Sequence, residues 1–150
     1  METINSQTTV ETRQVVKEVP QVEIRQQKDT SLKYFIIGIG NAGSQVAAAV
    51  NDIDKPEVRC FLINSSEKDL DDNVVNKDIP AFIIGNHRGA GRDRGTAKEF
   101  LKDSLATLFV TNEFIVPLNE SDIIFVIAST AGGTGSGCGP MLVNRIQRMY

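Results

Sequence analysis

The 150-residue sequence has no tryptophan, one histidine and two cysteines, and each scarcity removes a class of chemistry. With His87 alone, neither a histidine-based catalytic triad nor a metal cluster can be built around the dispersed Cys60 and Cys138, so no metal site is expected. Two cysteines are also too few for a disulfide framework and fit a reducing compartment, which points to the cytoplasm. No apolar run approaches the ~18 residues of a membrane span, and the amino terminus lacks a basic start followed by an apolar stretch, so neither export nor a membrane partner is expected. A basic excess is missing too. Sixteen Lys and Arg against nineteen Asp and Glu leave a net charge of -3. That balance gives no general field for gripping nucleic acid, and phosphate binding must be local.

What is present reads as one domain with a tail. Residues 1–30 contain neither glycine nor aromatic residue and are dominated by Gln, Glu, Thr, Lys and Val, a composition that buries little apolar surface by itself. They are read as a flexible N-terminal arm, with residues 31–150 as the folded part. From Leu32 the composition changes. Leu32–Ile37, Val58–Ile63, Ala81–Ile84 and Asp122–Ile127 are β-branched or aromatic runs of strand length. Helical patterns follow the first run from Ser44 to Asn51 and lie over Ala97–Phe109, where apolar positions recur at three-to-four spacing. A last helix is expected from Met141, with Pro140 in its first turn. Asp69–Asp78 reads as a run of turn formers. Strands without alternation, separated by helices, are buried on both faces, so the fold class is α/β: a Rossmann-like, mostly parallel sheet with helices on both faces. The last helix stops after a few turns, which looks like a fold interrupted before completion.

Two glycine-rich segments carry the chemistry. Gly38-Ile39-Gly40-Asn41-Ala42-Gly43 matches the dinucleotide fingerprint between a strand and a helix, where backbone N–H groups meet a pyrophosphate. An NAD site also needs an acidic residue at the end of the second strand, and Asn64 stands there with no charge to offer a ribose. An NAD(P)-dependent Rossmann oxidoreductase is therefore the alternative reading, not the first. The segment Ala131–Gly137 is more specific: four of its seven residues are glycine and two carry hydroxyls. Each glycine costs ~0.5–1 kcal/mol of extra chain entropy, so a plain turn seldom holds so many. Neither segment ends in Gly-Lys-Ser/Thr, so no P-loop lysine is available. If the sheet order is 3-2-1-4, both segments meet at the crevice between strands 1 and 4. A third loop, Gly85–Gly95, carries Arg88, Arg92 and Arg94, which suit either a phosphate or a plain solvated surface.

Together these segments resemble the N-terminal part of the tubulin/FtsZ superfamily of filament-forming GTPases, and in character the plasmid- and phage-encoded tubulin-like proteins. The resemblance spans residues 32–150. Gly132–Gly137 is similar to the family's glycine signature, with Ala131 in place of its first glycine. Phe61–Ser66 resembles the family's second-strand ending, and Gly89-Ala90-Gly91 its γ-phosphate-sensing loop. Asn41, Ala42 and Ser44 stand where FtsZ has glycines, Gln45 where it has Asn, and the third loop is about two residues shorter.

The resemblance implies GTP or GDP as the bound nucleotide, with Mg2+ held mainly by the phosphates. It places Gly40, Asn41, Ala42, Gly43, Ser44 and Gln45 along the phosphates, and Asn64 near the phosphate and ribose. Gly89, Ala90 and Gly91 would face the γ-phosphate, and Gly132, Gly133, Thr134, Gly135, Ser136 and Gly137 would surround the α- and β-phosphates. It further implies head-to-tail self-association into filaments, an adaptor or DNA-bound partner, and hydrolysis completed by acidic residues of the next subunit. Those residues would lie beyond Tyr150, after a central helix, so no catalytic residue is expected in this chain. A nucleotide-bound interaction module without hydrolysis is a third reading. Cys138, beside the glycine segment, is a candidate reactive thiol if a helix N-terminus lowers its pKa.

Overall fold

Tyr34–Ile39 (β1), Val58–Asn64 (β2), Ala81–Ile83 (β3) and Ile123–Ala128 (β4) form one four-stranded sheet in the order β3-β2-β1-β4. This computed structural model describes residues 31–74 and 78–150, and the expected N-terminal arm lies outside them. Every pairing is parallel, with Ile36 opposite Cys60 on one side and Phe125 on the other. Parallel neighbours require crossovers, and helices supply them: Gly40–Asn51 (α1) joins β1 to β2, while Arg94–Leu108 (α3) and Asn112–Glu120 (α4) precede β4. Glu67–Val74 (α2) and Gly133–Gln147 (α5) follow β2 and β4.

Side-chain alternation along the strands divides the core in two. Phe35, Ile37, Phe61 and Ile63 point to the face covered by α3, α4 and α5, where they pack with Leu101, Leu108, Phe114, Leu118 and Leu142. Phe35, Phe61 and Phe114 meet edge to face with ring centroids 5.2–6.4 Å apart, the arrangement that aromatic quadrupoles favour. Ile36, Cys60 and Leu62 point the other way, toward Ala47 and Ala48 of α1 and Leu70 of α2. The strand runs lack alternation because both faces are covered.

Five local expectations are corrected. The first helix begins at Gly40, not Ser44, and the last at Gly133, not Met141, so both glycine segments are largely first turns of helices. Pro140 therefore sits inside α5, where Ser136 loses its usual intrahelical donor. The turn-former stretch holds α2, whose start is stabilised by Ser66 Oγ accepting from Asp69 N at 3.3 Å and by Glu67 and Asp69 in the first turn. A fourth helix, α4, was not expected, because Pro117 interrupts its pattern; Phe114, Pro117 and Leu118 are nonetheless its buried side. Phe125, within a run expected to be buried on both faces, is 48% exposed. It lies on the edge strand β4, on the α1 side of the sheet.

Candidate functional site

Where β1 and β4 end, α1 and α5 begin side by side. A Cβ placed on Gly40 would lie 3.0 Å from the backbone nitrogen of Gly135, and Gly40 adopts a left-handed φ of +70°. A Cβ on Gly135 would lie 3.0 Å from Ser129 N and 3.1 Å from Ile39 O. Only a residue without a side chain lets the start of α5 nest between the two strand ends at that distance. The two glycine segments are thus at the same end of the sheet and in contact.

Both helices start without a cap. No side chain bonds back at Ile39 or at Gly132, and neither first turn holds an acid. The leading N–H groups of an uncapped helix have no intrahelical partner and carry about half a positive charge between them. By contrast, α3 is closed by its own residue Asp93, whose carboxylate accepts from Gly95 N at 2.9 Å, Thr96 N at 3.2 Å and Thr96 Oγ1 at 2.6 Å. These bonds, led by that of the Thr96 hydroxyl, hold the exposed Asp93 carboxyl below the usual carboxylate range.

Asn64 ends β2 beside this junction, with a relative exposure of 1%. Its Oδ1 accepts from Ser65 N at 2.8 Å and weakly from Ser66 N at 3.4 Å. Because both partners are backbone donors, the side-chain orientation is fixed with Nδ2 on the other side. That amide nitrogen is buried and has no hydrogen-bond partner. A buried donor left unmade costs ~1–3 kcal/mol, so its position on the wall of a cleft calls for an acceptor there. Ser65 Oγ and Thr134 Oγ1 share a hydrogen bond of 2.6 Å that ties the end of β2 to the first turn of α5.

The loop after β3 closes the remaining side. Ser66 and Arg88 form an antiparallel bridge, and Gly89 N donates to Ser65 O at 2.7 Å. Left-handed backbone at His87, Gly89, Gly91 and Arg92 folds the loop over the end of β2. Buried Ala90 anchors it in the main core. His87 stays on the surface, 3.5 Å from Glu67.

The result is a cleft of about 520 Å³. Gly40, Asn41, Ala42 and Gln45 line it from α1, with Gln45 donating to Asn41 Oδ1 at 3.1 Å. Asn64, Gly89, Ala90 and Gly91 line the β2 and loop side, and Gly132, Gly133, Thr134 and Gly135 the α5 side. Four expected residues do not reach it. Gly43 and Gly137 are buried packing points: a Cβ on Gly137 would lie 2.6 Å from Arg94 O and 2.8 Å from Ala97 Cβ, so this glycine sets the spacing of α3 and α5. Ser44 is buried inside α1, and Ser136 turns its hydroxyl back onto the carbonyl of Gly132. Sequence reading missed Ser66, Asp69 and Ser129 on the cleft wall. The capping pattern Ser66-Glu67-Lys68-Asp69 was the available signal for the first two.

Cys138 is not a reactive thiol. It is fully buried, donates from Sγ to Ala97 O at 3.2 Å, and burial pushes its pKa up to about 12. Burial likewise raises Cys60 to about 11. Among the described residues no cluster of three or more His, Cys, Asp or Glu is placed to hold a metal ion. Among them, too, no helix is long and apolar enough to cross a membrane.

Comparison with known proteins agrees with this fold. Tubulin-like protein CetZ1 of Haloferax volcanii is 30% identical over 131 residues, covering 79% of this chain and 32% of its own length. The GTPγS-bound protofilament of CetZ2 from the same organism superposes with a TM-score of 0.68 at 24% identity, over 79% of this chain and 37% of that one. The GTPγS-form protofilament of Bacillus thuringiensis TubZ gives 0.57 at 17% identity, over 78% and 34%. The chain thus spans about a third of the length of these relatives. Residues 33–150 match the family described as Tubulin/FtsZ family, GTPase domain, and the chain belongs to that family.

Proposed function

We propose that the cleft binds GTP and GDP, and that the protein acts as a nucleotide-dependent filament subunit that hydrolyses GTP on head-to-tail contact. The observation that carries the binding half is the unpaired Asn64 amide beside two uncapped helix starts. The partial positive charge of a helix start suits an anion, and a buried amide donor suits a phosphate or ribose oxygen. Gly40 and Gly135 provide bare backbone at the point where the two helices meet. The guanine base and the filament half rest on family membership and on the protofilament form of the related CetZ2 and TubZ structures. In this reading Mg2+ is held mainly by the phosphates, and the groups that complete hydrolysis come from a neighbouring subunit. A cytoplasmic location and an adaptor or DNA-bound partner belong to the same proposal and rest on the resemblance to plasmid- and phage-encoded members.

Titration with GTP, ATP and NADH tests the ligand. GTP preference is expected, whereas NADH preference would restore the oxidoreductase alternative. Gly132 supplies a test that separates binding from folding. It holds an ordinary extended φ of -90°, and a Cβ there meets nothing within 4 Å. Gly132→Val should therefore fold with nearly wild-type stability yet lose nucleotide, because its branches stand over the first N–H groups of α5. Unchanged affinity would remove the phosphates from that helix start.

A further inference from the structure

A second recess, of about 870 Å³, lies between α3 and α5. Gly137 draws the two helices together near their starts, where a Cβ on it would lie 2.6 Å from Arg94 O. Larger side chains follow. Leu105, Phe109 and Met141 line the furrow and pack, partly buried, against the main core. Phe109 meets Phe114 edge to face, with ring centroids 5.2 Å apart. The floor is therefore apolar and anchored, and no residue of this furrow lines the cleft described above.

The walls carry charge of one sign. Lys98 and Lys102 of α3, with Arg145 and Arg148 at the end of α5, line the furrow, and all four are exposed. Among the described residues no acid lines it. Because the chain as a whole has a net charge of -3, this basic cluster departs from the average. The Arg145 guanidinium carbon lies 5.7 Å from the Phe109 ring centroid, within cation–π range, which sets its charge at the floor. Lys102 lies 3.6 Å from Glu99 in an exposed pair, of a kind that contributes little. Among the described residues, Lys98, Arg145 and Arg148 form no ion pair with a carboxylate. The helix dipole favours Arg145 in the last turn of α5. It gives no reason for Lys98 and Lys102, which precede the last turn of α3.

We infer that this furrow receives an acidic amphipathic helix of a partner protein. Two helices side by side leave a groove into which the side chains of a third pack, anchored at i, i+3, i+4 and i+7. From Lys98 to Phe109 the α3 wall runs ~16 Å, about three helical turns. The partner's apolar stripe covers Leu105, Phe109 and Met141, and carboxylates beside that stripe meet the four cations. A bilayer fits less well, because floor side chains packed against the core do not reach into acyl chains. Nucleic acid fits less well too, since its phosphates offer nothing to an apolar floor. The inference is independent of the nucleotide reading.

The test is fluorescence anisotropy of the full chain with two labelled synthetic peptides of about five helical turns. Both carry leucine at i, i+3, i+4 and i+7; one has glutamate at the remaining positions and the other lysine. The glutamate peptide should bind at least about tenfold more tightly than the lysine peptide, and should weaken as salt rises from about 50 to 300 mM. Reversing two wall charges, Lys102→Glu with Arg145→Glu, should cost the glutamate peptide about tenfold or more and improve binding of the lysine peptide. A misfolded variant would not show that gain. Lys55→Glu with Lys68→Glu makes the same change in net charge outside the furrow, and should leave both affinities within about twofold. Absence of glutamate-peptide binding, equal binding of both peptides or an equal effect of the two double reversals overturns the inference. So does tighter binding to phosphatidylserine vesicles or to single-stranded DNA than to the glutamate peptide. Each of these outcomes leaves the nucleotide reading where it stands.

Discussion

At the scale of single residues, Asn64 is the position that bears most on the choice between the proposed phosphate site and a nicotinamide pocket. Its carbonyl oxygen is occupied by the chain's own backbone, so only its amide donor is left for a ligand. Asn64→Asp keeps the acceptor for Ser65 N but replaces the donor with a second acceptor bearing charge. Phosphate affinity should fall by about tenfold or more, as expected for exchanging a charge-assisted bond for repulsion. A gain of NADH affinity in Asn64→Asp would instead reverse the assignment. The thiols give a second test at this scale. With Cys138 raised to about 12 and Cys60 to about 11 by burial, both remain protonated at pH 8 in the folded chain. A thiol reagent should then react only at the rate at which the protein opens. Because these folded pKa values lie above the unfolded thiol value, the stability linked to them is intact below about pH 9 and is lost as pH rises toward 11 or 12. Rapid labelling of the native protein at pH 8 would contradict the buried placement. Asn64 was legible as a position from its place at the end of a strand run, whereas its unpaired amide was not, since hydrogen-bond partners depend on the path of the loop that follows.

At the scale of elements, what looked like two glycine loops are two helix starts, and the difference explains which glycines do what. In α5 the glycines alternate with Thr134, Ser136 and Cys138, and successive ones meet different neighbours: the Arg92 backbone, the strand ends, and α3. Sequence pattern showed that bare backbone was needed but not which side needed it, because a helix turns each residue by about 100° and its partners come from distant segments. The strand order was readable, since buried apolar runs joined by helices leave few topologies. Helix α4 was hidden by Pro117, and α2 by its acids, which look like turn formers until Ser66 is recognised as a cap. Gly137→Leu should force α3 from α5 and destabilise the protein by roughly 1–3 kcal/mol or more, read as a drop in urea midpoint. The cap on α3 has a pH signature. The depressed Asp93 carboxyl adds stability that is present above its unfolded pKa and lost as pH falls through the lower folded value. Asp93→Asn should therefore lower the urea midpoint at pH 7 and match wild type increasingly well as the solution is acidified. A gap that stays constant from pH 7 to pH 2 would show that the charge of Asp93 has no part in the cap.

At the scale of the whole molecule, the cleft is where segments distant in sequence meet. The loop carrying Arg88 and Arg92, the end of β2 and the starts of α1 and α5 meet around it, with hydrogen bonds from Ser65 to Thr134, from Gly89 to Ser65 and from Glu67 to His87 between them. A ligand held by all of these segments would link both halves of the sheet through new contacts, and anything that binds the folded state alone stabilises it by mass action. At a hundredfold excess over Kd that gain is about 2.7 kcal/mol, which for a domain of this size corresponds to a rise in Tm of roughly 5–10 °C. The rise should grow with the logarithm of GTP concentration and should vanish in Gly132→Val, whose own melting point stays near that of the unliganded wild type. Light scattering in the same samples separates the filament reading from a module that only binds: assembly makes scattering depend on both nucleotide and protein concentration, whereas simple binding changes Tm alone. If Tm rises equally with GTP in wild type and Gly132→Val, the nucleotide is held somewhere other than the junction of α1 and α5.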